Sequence, residues 1–165
     1  MTPVNDHLSL LSRALTDMQG LVIPDYELPT ALWLIDTLRT PISPDNINSH
    51  LERNAQALGI AGYFYNTAHR LLKEANSSLD EAFSNLYNSL RSAALQGRHP
   101  KAPSQATLEN AVKVNPKYTE HRAMVTRLEF CRDTLKDLRD CISSRSRHLE
   151  QISNNYRFDR RFDDA

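Results

Sequence analysis

CRDTLKDLRDCISSRSRHLEQISNNYR, residues 131–157, places an apolar side chain at alternating steps of three and four and then sets Arg145 where the next is due. Extended upstream, the row reads His121, Met124, Leu128, Cys131, Leu135, Leu138 and Ile142, and after Arg145 it resumes with Leu149, Ile152 and Tyr156. A repeat of 3.5 residues is that of a helix supercoiled on a partner. Asn115 as N-cap and Pro116 in the first turn give the opening of that helix, which is expected to run to about Tyr156. The expected fold is all-α, with long helices in a coiled-coil-like hairpin or bundle. Leu128, Cys131, Leu135, Leu138, Ile142, Arg145, Leu149 and Ile152 are the residues expected to join one copy of the chain to others. Burying a lone arginine is costly unless it is paired. Arg145 is therefore expected to face a water-filled space or meet a carboxylate, fixing register and oligomer number, or else to snorkel out at a fraying end.

A second long helix fits residues 45–95, where Leu51, Asn54, Leu58, Ala61, Tyr65, Ala68, Leu72, Ala75, Leu79, Ala82, Leu86, Ser89 and Ala93 keep the same step pattern. Ser78 and Glu81 have capping-box spacing, so a bend or short interruption is expected at NSSLDE. Between the two long helices GRHPKAPS, residues 97–104, reads as a loop, followed by a brief helix QATLENAVK capped by Ser104. Towards the N-terminus, Leu8, Leu11, Leu15 and Met18 mark a helix over residues 5–19 that stops at Gly20, and a further helix covers residues 30–39 with the sole tryptophan, Trp33. Pro41 and Pro44 break the chain before the long helices begin. The expected organisation is an N-terminal helical extension over 1–44, a helical domain over 45–157 and a C-terminal tail over 158–165.

The composition, with 4 glycines and 7% aromatic residues, favours helices over sheets. The formal net charge of zero hides an asymmetry: residues 1–97 sum to −4 and residues 98–161 to +6, before Asp163 and Asp164 add −2. A basic half suits a polyanion or an acidic partner, or forms a solvated helix face. No apolar run approaches the length of a membrane span and no leader precedes the first helix, so a soluble cytoplasmic protein is expected. Cys131 and Cys141 lie ten residues apart on one predicted helix, about 15 Å by helical rise, which is too far for a disulfide. No phosphate-binding glycine loop, no dinucleotide turn and no His/Cys pattern for a metal is present, so no cofactor and no enzymatic activity is expected.

Two segments carry a family resemblance. SHLERNAQALGIAGYFYNTAHRLLKEANSSLDEAFSNLYNSLRSAAL, followed by a Pro/Gly loop, and NAVKVNPKYTEHRAMVTRLEFCRDTLKDLRDCISSRSRHLEQI together resemble the UvsY family, recombination mediators of tailed bacteriophages, over about residues 46–157. The resemblance implies a ring-like homo-oligomer that binds single-stranded DNA and helps a RecA-like recombinase displace single-strand-binding protein. It implies a host-cytoplasmic location if the chain is phage-encoded. The family's basic pair near the end of the first long helix falls on Ser89 and Arg91, with Arg98 and Lys101 close by to supply charge. Arg132 and Arg139, one heptad apart on the last helix, complete the residues expected to meet DNA. A helical scaffold or adaptor of a phage assembly, with no affinity for nucleic acid, is the alternative.

Overall fold

The computed structural model of the chain describes residues 3–97 and 103–163. Among these residues it is all-α: α1 (Pro3–Asp17), α2 (Leu28–Arg39), α3 (Ile47–Gln96), α4 (Gln105–Lys113) and α5 (Pro116–Asp163), with short 3-10 turns at Asp25–Glu27 and Pro44–Asn46. The ends follow local chemistry. Gly20 takes φ +73°, a left-handed conformation that glycine adopts without penalty, and the amides of Leu21 and Val22 close back on the Met18 carbonyl. The Ser104 hydroxyl accepts from the Thr107 amide at 3.2 Å to cap α4, and Asn115 Oδ1 accepts from the Lys117 amide at 3.0 Å to open α5. Two expectations about helix continuity are corrected. α3 runs unbroken through NSSLDE, where the Ser78 hydroxyl donates to the Glu74 carbonyl of its own helix instead of capping a new one. α5 continues past Tyr156 into the segment expected to be a tail.

The described residues divide into two compact units, one built from 1–68 with 131–165 and the other from 69–130. The division does not follow the expected boundaries at residues 44 and 157, because the N-terminal helices share a unit with the last part of α5. In the first unit α1 packs on α2, with Leu8, Leu11 and Leu15 of the one, Met18 just beyond it, and Ala31, Leu34 and Ile35 of the other buried. α3 contributes Asn54, Ala57, Ala61, Phe64 and Ala68, and α5 contributes Cys131, Leu135, Leu138, Ile142 and Leu149. Alanine at three of these α3 positions lets a facing helix approach closely. In the second unit Leu72 and Leu79 of α3, Leu108 and Val112 of α4, and Val125 and Leu128 of α5 are buried. The α3 row fades at its C-terminal end, where Ser89 and Ala93 are exposed.

Candidate nucleic-acid interface

Of the cations expected to meet DNA, Arg91 falls in one unit and Arg132 and Arg139 in the other. Arg91 belongs to the second unit, on the last turns of α3, with an exposed side chain. It lines an open groove of roughly 370 Å³ between α3 and α4, together with Tyr87, Leu95, Pro103 and Gln105. Among the described residues no carboxylate pairs with it. The Tyr87 ring is half-buried and stacks on Phe83 at 6.1 Å, and Phe83 meets the edge of Tyr118 at 6.0 Å. Those aromatics therefore spend most of their surface on packing, whereas Tyr63 in the first unit is 53% exposed. Arg98 and Lys101 lie outside the described residues.

Arg132 and Arg139 are half-buried on α5 in the first unit. Arg132 forks onto Asp133, with Nε donating at 2.9 Å and Nη2 at 2.7 Å. Arg139 sits over the Tyr65 ring of α3 at 4.6 Å, a cation–π contact, and lies 3.9 Å from Asp140. One is locally neutralised and the other is occupied in joining two helices, so neither presents an unengaged cation.

The seam of α5 corrects the expectation about what it packs against. Leu135, Leu138, Ile142 and Leu149 have no exposed surface in the single chain, and Leu128 and Cys131 have almost none. From Cys131 onward it is buried within the single chain, in the unit that also holds α1, α2 and the first part of α3. Asn54 Nδ2 of α3 donates to the Ile142 carbonyl at 3.0 Å and to the Ser146 hydroxyl. Ile152 is half-buried and Tyr156 exposed. The upstream register also shifts by one residue: Val125 is fully buried while Met124 and His121 are exposed.

Among the described residues Arg145 meets no carboxylate; it meets the end of a helix. Its Nη2 donates to the Thr40 carbonyl at 2.6 Å and its Nη1 to the Leu38 carbonyl at 3.3 Å. These are among the last carbonyls of α2, which have no amide partner within their own helix, and they sit at the negative end of its dipole. Burial, and after it the charge of Arg53, holds the Arg145 ionisation below the ordinary arginine range. Arg53 of α3 reaches the same turn: its Nε donates to the Thr37 hydroxyl at 3.1 Å and its guanidinium lies 5.2 Å from the Trp33 ring.

Comparison with protein families, curated proteins and solved structures returns no match. The described residues contain no cluster of His, Cys, Asp and Glu able to hold a metal, and no helix among them is long and apolar enough to cross a membrane. Sequence reasoning missed Arg53, since it lies off the apolar row beside Asn54, and the only cue was the presence of one tryptophan upstream. It also missed a groove of roughly 470 Å³ in the second unit, lined by Lys117 and His121 of α5 and by Ser78, Asn85, Leu86 and Ser89 of α3. Helical spacing of Ser78, Asn85 and Ser89, in steps of seven and four, was the available signal.

Proposed function

We propose that the protein is a non-enzymatic recombination mediator that binds single-stranded DNA and promotes loading of a RecA-like recombinase onto strands coated with single-strand-binding protein. The observation that carries the reading is Arg91: an exposed cation in an open groove, without a carboxylate partner among the described residues, at the position the UvsY-like resemblance assigns to DNA contact. The groove beside it offers an apolar edge and an amide, a surface that takes a sugar–phosphate strand without reading base sequence. The family resemblance also implies a ring-like homo-oligomer, and the α5 seam is already covered within the chain. Assembly therefore has to use another surface, for example the one in the first unit where Tyr63, 53% exposed, lines a groove with Ile60 and Gly59.

The helical adaptor is favoured by one observation, the engagement of Arg132 and Arg139 inside the chain, which removes two cations from the supply. Titration of labelled oligo-dT separates the readings. A mediator binds at low salt with log K falling linearly against log salt, and Arg91→Ala reduces that slope by roughly 0.7, the release expected for one phosphate on a single strand. Absence of binding by the parent chain at low salt leaves the adaptor.

A further inference from the structure

Two guanidinium groups converge on residues 37–40 at the end of α2, one from α3 and one from α5. Arg53 holds the Thr37 hydroxyl through Nε, and Arg145 holds the Leu38 and Thr40 carbonyls through its two terminal nitrogens. Both side chains are half-buried, and so remain within reach of a solute. Among the described residues neither has a carboxylate partner: the ion pairs there join Arg70 to Glu74, Arg132 to Asp133 and Arg139 to Asp140. Asp36 and Glu52, the acids nearest along α2 and α3, are exposed and pair with neither. The helix end supplies only about half a negative charge against two whole positive ones. Like charges held together in a partly desolvated place repel more than they would in water. Their donors are only partly used, one on Arg53 and two on Arg145, while Arg145 Nε is buried without a partner. The Arg53 guanidinium also lies over the Trp33 ring at 5.2 Å, a cation–π contact that helps hold it beside the turn. Planar, forked cations with spare donors fit the oxygens of a phosphate.

We propose that Arg53 and Arg145 form a phosphate-binding site beside the C-terminal turn of α2 that takes one phosphodiester of a single-stranded nucleic acid. This rests on the strand-binding reading above and adds to it a contact in the unit that does not contain Arg91. A phosphate between the two guanidiniums removes their mutual repulsion, so the site gains from binding as well as from attraction to each cation.

The test uses the full chain and Arg53→Gln, which leaves the carbonyl bonds of Arg145 in place, with Arg53→Lys as the charge-conserving control. Binding of labelled oligo-dT is measured by anisotropy over a series of salt concentrations. The expected result is a salt slope smaller by roughly 0.7 in Arg53→Gln, several-fold weaker binding at moderate salt, and partial recovery in Arg53→Lys. A parental slope and affinity in Arg53→Gln, with a lowered melting temperature, overturns the proposal and leaves the arginines as a clamp on α2. If the parent chain binds no oligo-dT, the strand-binding reading fails by itself. The site is then decided by inorganic pyrophosphate: a rise in the parent's melting temperature that Arg53→Gln lacks supports a phosphate site, and no rise in either overturns it.

Discussion

Arg145 shows what a single polar residue in an apolar row does when the row is intramolecular. Its two bonds to α2 carbonyls carry a charge and are partly desolvated, and a hydrogen bond to a charged group contributes about 1.5–3 kcal/mol where it is not exposed. Because the side chain is half-exposed, we expect Arg145→Ala to lower unfolding stability by about 2 kcal/mol in urea, with Arg145→Lys restoring only part of that stability because an ammonium cannot span both carbonyls. Equal stability of parent and alanine variant would show that water replaces the cap at no cost. Asn54 gives a pH-dependent counterpart. It is fully buried and its amide nitrogen donates to Ile142 and Ser146. An aspartate there would be desolvated, so Asn54→Asp should have its carboxyl pKa raised in the folded state above the unfolded value of about 3.9. The protonated carboxyl can still donate a bond, so its stabilisation is present below the unfolded pKa and is lost as pH rises through the folded one. The gap in melting temperature between parent and variant should accordingly be wide at pH 7 and narrow towards pH 4.5. The place of Arg145 in the row was legible in the sequence. Its partner was not, because a carbonyl more than 100 positions away belongs to no residue-type pattern.

At the scale of the element, the two long helices, their caps and their apolar rows could be read from spacing alone, since a 3.5-residue repeat and Asn-Pro or Ser caps act within one or two turns. The partner of the α5 row could not. An apolar stripe specifies that something covers it, and residues 1–44, whose Leu8, Leu11, Leu15 and Met18 row marks a helix without naming its partner, gave no sign that they share a unit with residues 131–165. Leu135→Ala and Leu138→Ala should therefore unfold the chain more easily, by about 2–5 kcal/mol each, with a melting temperature that falls equally at every protein concentration. A midpoint that drops further on dilution would instead indicate copies held together by the seam. α3 carries two glycines within its helix, Gly59 and Gly62, where an added Cβ meets nothing within 4 Å. Nothing inside the chain demands a glycine at either position. Gly59→Ala and Gly62→Ala should each raise stability by about 0.5–1 kcal/mol, read as a higher melting temperature.

For the whole molecule, the two ends of the chain build one unit and the middle builds the other. That arrangement makes the N-terminal segment part of the core and not an appendage. Leu34 and Ile35 of α2 are buried, and the α2 terminus is held by Arg53 from α3 and Arg145 from α5. Deleting residues 1–44 takes away the helices that share a unit with Leu135, Leu138, Ile142 and Leu149, and leaves both arginines without the α2 groups they bond. Apolar area newly opened to water costs about 25 cal/mol for each Å². A chain with that much unpaired apolar surface lowers its free energy by burying it against another copy. We therefore expect the deleted chain to self-associate or precipitate at concentrations where the full chain sediments as a defined species. Its far-UV helical signal should fall by more than the 44 missing residues account for, because the first unit loosens while residues 69–130 keep their own buried Leu72, Leu79, Leu108, Val112, Val125 and Leu128. Hydrogen exchange reads the same outcome by position. Amides of α5 from Cys131 onward should lose protection in the deleted chain, and those of α4 should keep it. Retained protection across residues 131–149, together with unchanged sedimentation, would show that α3 alone suffices to cover the row and that the N-terminal helices are dispensable to it.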